Sequence, residues 1–221
     1  MTDDESRLDW RGAVPVARAF DDPYYSLDDG LAETRHVFLT GNDLPTRLRP
    51  GFHVAELGFG TGLNAMALAA ICEMPVHLTS FEAFPLTRDQ IARATLPWQA
   101  QLGPQRAALL DGYDPTGTPF AIGPLRVELR IGLVAETLPA WEGSAEAWFL
   151  DGFAPARNPE MWREEIMAEV ARHTAPGGSF ATYTSAGAVR RALTAAGFAV
   201  RKVPGHGRKR EMSVGRLATP S

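Results

Sequence analysis

The chain runs to 221 residues, 45% of them apolar, and carries a net charge of −4. That size suits one well-buried domain with an embellishment and excludes two full catalytic units. The acidic opening Met1-Thr2-Asp3-Asp4-Glu5 is unlike a basic signal peptide, and no apolar run approaches the ~20 residues that span a bilayer, so a cytoplasmic protein with no membrane partner is expected.

Residues 1–50 read as an extension: a small hairpin over Ala13 to Ser26, then an amphipathic helix from about Asp28 to Leu39. The main domain, 51–221, opens with a strand at Val54 to Leu57, three alternating glycines, and a helix over Leu63 to Cys72. Cys72, the single cysteine, reads as packing; no disulfide and no metal cluster is suggested. A strand at Thr79 to Phe81 precedes a helix over Thr87 to Ala94, where Thr87 and Gln90 make a capping-box pair. Residues 85–124 form an unusually long insertion between the second and third strands, rich in Pro, Gly and Leu, and suited to walling a substrate pocket.

Strands at Val127 to Ile131, Trp148 to Leu150, Ser179 to Thr184 and Phe198 to Val203 follow. Helices over Pro159 to His173 and Ser185 to Ala196 lie between them, the first with Asn158 as its cap. Met212 to Leu217 closes the sheet as an antiparallel hairpin. Six or seven strands alternating with helices make an α/β, doubly wound sheet. Residues 1–33 hold nine acids and three arginines, whereas residues 201–216 hold six Lys or Arg and one Glu. Such asymmetry suits a basic patch that meets phosphate, although a solvated charged hairpin has the same composition.

The run Val54-Ala55-Glu56-Leu57-Gly58-Phe59-Gly60-Thr61-Gly62-Leu63-Asn64 carries the clearest chemistry. A glycine turn between strand and helix lets backbone approach a ligand, and the helix aims N–H groups at the same spot. Glu82, at the tip of the next strand, stands where an acid accepts hydrogen bonds from ribose hydroxyls. A dinucleotide fingerprint requires G-x-G-x-x-G, but its third position is Leu63; the spacing is G-x-G-x-G, with Glu56 two residues ahead. That order resembles the first motif of class I S-adenosylmethionine-dependent methyltransferases, whose cofactor carries an ammonium and a sulfonium that favour nearby carboxylate. The fourth strand ends in Asp151-Gly152-Phe153-Ala154-Pro155, which puts Asp151 at the topological switch point, with Phe153 and Pro155 at the rim.

Six segments together resemble the methyltransferase half of the bifunctional tRNA 5-methylaminomethyl-2-thiouridine biosynthesis proteins and their stand-alone relatives. They are Phe20-Asp21-Asp22-Pro23-Tyr24-Tyr25-Ser26, the run Gly30 to Leu39, Glu56 to Asn64, Ser80 to Thr87, Phe149 to Pro155, and Gly205 to Met212. The resemblance implies a Rossmann-like class I fold and N-methylation of 5-aminomethyl-2-thiouridine at the tRNA wobble position, with S-adenosyl-L-methionine as cofactor. It implies a tRNA anticodon-loop partner, and no metal or flavin in this chain; a class I enzyme acting on another amine, small molecule or protein is the alternative. Glu56, Gly58, Phe59, Gly60, Thr61, Gly62, Asn64, Glu82 and Asp151 would hold the cofactor. Asp151 would orient the amine first and accept its proton second. Tyr24, Tyr25, Phe153 and Pro155 would contact the base, and Arg208, Lys209 and Arg210 the phosphates. One departure stands out: relatives carry Gly-Asp after the third strand, where this chain has Gly132-Leu133, so adenine contact there falls to backbone or apolar groups.

Overall fold

The computed structural model describes residues 7–207 and 209–218. Its first unit is a three-stranded antiparallel meander of β1 (Leu8–Arg11), β2 (Val14–Ala17) and β3 (Asp22–Pro23). The expected hairpin is therefore present but starts earlier, because Gly12, at φ +66°, turns β1 into β2. Helix α1 (Gly30–Thr34) is capped by Asp29, whose carboxylate accepts the Ala32 N–H at 2.9 Å. It runs into a π-helical turn over Arg35–Leu39 that buries Val37, Phe38 and Leu39, so the expected amphipathic helix widens in its second half. A single turn, α2 (Leu44–Arg47), leads to the main sheet.

That sheet contains β4 (Phe52–Leu57), β5 (Val76–Glu82), β6 (Phe120–Ile122), β7 (Leu125–Ile131), β8 (Ala145–Leu150), β9 (Thr174–Thr182), β10 (Phe198–Pro204) and β11 (Glu211–Leu217). Their order is β10-β11-β9-β8-β4-β5-β7-β6. The five central strands pair in parallel, while β6, β10 and β11 are antiparallel to their neighbours. Helices α3 (Leu63–Ala69), α4 (Arg88–Thr95), α5 (Gln99–Gly112), α6 (Val134–Thr137), α7 (Glu164–Arg172) and α8 (Gly187–Ala195) complete the doubly wound pattern.

Alternation along the strands builds two apolar layers. Val54, Leu78, Val127 and Phe149 belong to one, with α3, α5 and the π turn above them. Leu57, Phe81, Trp148 and Leu150 belong to the other, packed by α7 and α8.

Several boundaries differ from expectation. Helix α3 stops at Ala69, which leaves Cys72 buried just beyond its end. The helix expected over Pro159 to His173 is broken: Pro159–Trp162 is a 3-10 turn, and extended Arg163 separates it from α7. Trp162 donates its indole N–H to the Phe153 carbonyl at 2.9 Å, which ties that turn to the loop after β8. Asn158 makes no side-chain cap there; its amide instead lies 4.0 Å from Met161 Sδ. The capping box at Thr87 and Gln90 is present. Residues 85–124 are mostly helical, with α5 kinked at Leu102 just before Pro104, followed by the short edge strand β6. No helix among the described residues is long and apolar enough to cross a membrane.

Candidate active site

Strands β4 and β8 lie side by side, with Leu57 opposite Leu150, so the loops that leave their carboxyl ends start together. This is the switch point of the sheet, where a crevice opens. Gly58, Gly60 and Gly62 have φ of +88°, +54° and +74°, a region that penalises any side chain. At Gly58 a Cβ would also collide with the carbonyl oxygen of Asp151. At Gly60 it would stand 3.1 Å from the Tyr24 ring, and at Gly62 2.9 Å from Leu109, so the first two glycines shape the crevice and the third seats α3 against α5.

Glu82 closes the loop from the neighbouring strand. Its carboxylate accepts the Gly60 N–H at 2.9 Å and the Phe84 N–H at 2.8 Å, one on each oxygen. Burial raises its pKa, and the backbone donors oppose that rise.

Beneath the loop, Asn64 ties two carboxylates together. Its Nδ2 donates to Glu56 Oε1 at 2.8 Å and to Asp151 Oδ2 at 2.6 Å, while its Oδ1 accepts the Thr34 hydroxyl at 2.9 Å. Ser80 donates to the other Glu56 oxygen at 2.7 Å. Glu56 is fully buried, and that burial pushes its carboxyl up to about 8 despite both hydrogen bonds. Asp151 is half-buried; desolvation raises it to about 7, with the Asn64 bond pulling the other way.

A cavity of about 850 Å³ sits over these groups, a size suited to a nucleoside ligand and an acceptor together. Gly58, Phe59, Gly60, Thr61, Asn64 and Glu82 line its cofactor-loop side. Asp151, Phe153, Tyr24, Tyr25 and Lys209 line it as well. Four other expected residues are not brought to it. Glu56 lies behind Asn64 with both oxygens engaged, and Gly62 faces α5, so neither reaches the cavity wall. Pro155 and Arg210 border an adjoining depression of about 310 Å³ instead. Arg208 lies outside the described residues.

The meander roofs the cavity. Asp22 accepts the Ala154 N–H at 2.7 Å, Phe20 stacks on Phe153 with centroids 4.6 Å apart, and Tyr24 meets Phe153 edge-on at 5.0 Å. Tyr25 does more than line the wall: its hydroxyl lies 2.9 Å from the Ala13 carbonyl and 2.8 Å from that of Ala94, pinning meander to α4. Exposed Leu133 lines the cavity with Val134, Ala135 and Phe84, an apolar wall where relatives were expected to place an acid.

A profile of the family described as S-adenosyl-L-methionine-dependent methyltransferase matches residues 106–218. The chain belongs to this family. The methyltransferase is 45% identical, over all of its length, to the tRNA 5-methylaminomethyl-2-thiouridine biosynthesis bifunctional protein MnmC of Chromobacterium violaceum, and covers 36% of that protein. It is 47% identical to the protein of the same name from Caulobacter sp. strain K31, over 93% of this chain and 37% of the relative. The chain thus spans about a third of the length of these curated relatives. The crystal structure of MNMC2 from Aquifex aeolicus superposes with a TM-score of 0.71 at 22% identity, over 94% of this chain and 68% of that one, and shows the same fold.

The site fits S-adenosylmethionine. Positive-φ glycines leave the cradle free of side chains, Glu82 retains lone pairs for ribose hydroxyls, and Leu133 with Phe84 offers an apolar slot for a flat base.

Several residues here escaped the sequence reading. Thr34, Ser80, Glu33 and Tyr183 had no assigned role, although the first three lie in segments that carry the family resemblance. Asn64→Ala tests the carboxylate chain: it strips a shared donor from half-buried Asp151 and from fully buried Glu56, where an oxygen left unsatisfied costs about 1–3 kcal/mol. The expected result is a drop in melting temperature together with weaker S-adenosylmethionine binding by calorimetry.

Proposed function

We propose that the protein methylates the exocyclic amine of 5-aminomethyl-2-thiouridine at the tRNA wobble position, giving 5-methylaminomethyl-2-thiouridine. The observation that carries this reading is Asp151. It is a carboxyl near neutrality at the switch point, open to an aromatic-rimmed cavity, in a chain 45% identical along its whole length to a relative named for that product.

Bound S-adenosylmethionine supplies a methyl carbon activated by its sulfonium, so the protein's own task is positioning. Holding the amine and methyl in line contributes on the order of 7–11 kcal/mol. Glu82 takes the ribose, and Asn64 reaches the methionine end with Glu56 behind it. The acceptor amine must also be neutral when it attacks, whereas an alkyl ammonium titrates near ~10. Asp151 orients the amine by accepting an N–H and takes its proton onto Oδ1 or Oδ2. Its raised pKa matches that role, since the carboxylate is present around neutral pH yet is basic enough to hold a proton briefly.

The anticodon loop is single-stranded, so its wobble base can be splayed out at modest unstacking cost and received by Phe153 and Tyr24. Lys209 and Arg210 would then meet phosphates beside the cavity. Incubating the purified chain with S-adenosylmethionine and tRNA that carries 5-aminomethyl-2-thiouridine tests the reading by mass analysis of digested nucleosides. The expected product is the singly methylated nucleoside. Unchanged tRNA beside a methylated small-molecule amine would replace this function with the small-molecule alternative.

A further inference from the structure

Lys209 is seated in an unusual place for a cation expected to meet phosphate. Its Nζ lies 2.8 Å from Glu33 Oε1 and 3.9 Å from the centroid of the Tyr183 ring, inside the cavity that also holds Asp151. Both partners are fixed. Tyr183 donates its hydroxyl to the Gly152 carbonyl at 2.7 Å, and the Glu33 side chain, on the capped helix α1, is only 12% exposed. Thr34, the next residue on α1, joins the Asn64 chain to Asp151, so the backbone that carries Glu33 is tied to that chain. A carboxylate beside the face of an aromatic ring is a cage for an alkyl ammonium, combining a charge-assisted hydrogen bond with a cation–π contact.

We infer that the Glu33 and Tyr183 cage is the first seat of the acceptor's aminomethyl ammonium, held there before its proton passes to Asp151 and the neutral amine attacks, and that the Lys209 side chain occupies this seat until the acceptor displaces it. The inference rests on the proposed amine acceptor and adds two recognition residues. A lysine side chain ends in the same CH₂–NH₃⁺ group as the aminomethyl substituent, so a seat that fits one fits the other. Exchanging cation for cation leaves Glu33 with a counter-charge throughout, which avoids the cost of a buried unpaired carboxylate. Lys209 has somewhere to go, because it sits on the turn between β10 and β11 and also borders the adjoining depression with Arg210 and Ser185. There a released ammonium can meet the acceptor's phosphate. The electrostatics agree: Glu33 raises the Asp151 pKa and Lys209 lowers it, so the departure of Lys209 and the arrival of a substrate ammonium offset one another at the proton-accepting group.

The test combines steady-state kinetics on tRNA, with ethylammonium chloride as a competing probe, and calorimetry with S-adenosylmethionine. Glu33→Gln should raise KM for tRNA by about tenfold or more, with cofactor affinity unchanged. Tyr183→Leu should do the same, and by more than Tyr183→Phe, which keeps the ring but loses the hydroxyl bond to Gly152 that holds it in place. Lys209→Met should let ethylammonium inhibit at about tenfold lower concentration than in the wild type, because the resident competitor is gone. Unaltered ethylammonium inhibition in Lys209→Met, or an unaltered tRNA KM in Glu33→Gln, would overturn the cage. A wild-type chain that leaves the tRNA unmethylated would instead remove the proposed function, which separates the two failures.

Discussion

Replacing Asp151 with Asn is expected to lower kcat by about 10²–10⁴-fold, the usual contribution of a positioned acid or base. Asparagine keeps the shape and can still present an oxygen to Asn64, so S-adenosylmethionine affinity by calorimetry should stay within a few-fold of wild type. In the wild type, kcat/KM should rise with pH through about 7, as the carboxyl that burial has raised becomes ionised, and the variant should lack that limb. A variant that turns over at the wild-type rate would remove Asp151 from the chemistry.

The same titration has a stability consequence. Asp151 and Glu56 have folded values of about 7 and about 8, above their ordinary values of 3.8 and 4.5, so the native state holds protons that the unfolded chain releases. Their stabilising contribution is fully present below the ordinary values and is lost as pH rises through about 7 and about 8. The melting temperature of the ligand-free protein should therefore fall across that window. Cofactor, with its positive charges, should restore it, and Asp151→Asn should flatten the curve.

Gly58→Ala is expected to be at least as damaging. The positive φ alone costs an L-residue roughly 1–2 kcal/mol. The added methyl also meets the Asp151 backbone, which lies in the next loop and has no flexible end to move aside. Relief requires β4 and β8 to part at their carboxyl ends, where the glycine loop and the Asp151 loop begin. Calorimetry should register loss of S-adenosylmethionine binding, and thermal unfolding a clear drop. Gly51→Ala, at a positive φ with open space around it, is the control and should cost only the backbone share.

The central strand–glycine–helix unit was readable because its glycines sit where only positive φ serves and its apolar runs are continuous. Helix α5 was not: Gly103-Pro104 in mid-helix reads as a breaker, and α5 buries just Leu102 and Leu109, leaving little periodicity to detect. Strand β6 has three residues, too few for alternation to register. Asp151, Glu82 and the glycine loop were legible from motif spacing. The position of Glu56 beneath α3 was available in principle, since alternation puts it on the face of Val54, but motif resemblance favoured direct contact. The cage of Glu33, Tyr183 and Lys209 was hidden, because 176 residues separate Glu33 from Lys209 and nothing local joins them.

The meander over the cavity bears on how this enzyme is dissected. A chain shortened to begin after Ser26 would retain every strand of the larger sheet, yet Phe153 would lose its stacking partner and the Ala154 amide its acceptor. On such a remnant the cavity over Asp151 would stand open to bulk water, and Gly60 would lose the Tyr24 ring beside it. The meander is thus a ceiling and not an ornament: Phe20, Asp22 and Tyr24 cover the Phe153–Ala154 loop and the glycine loop together.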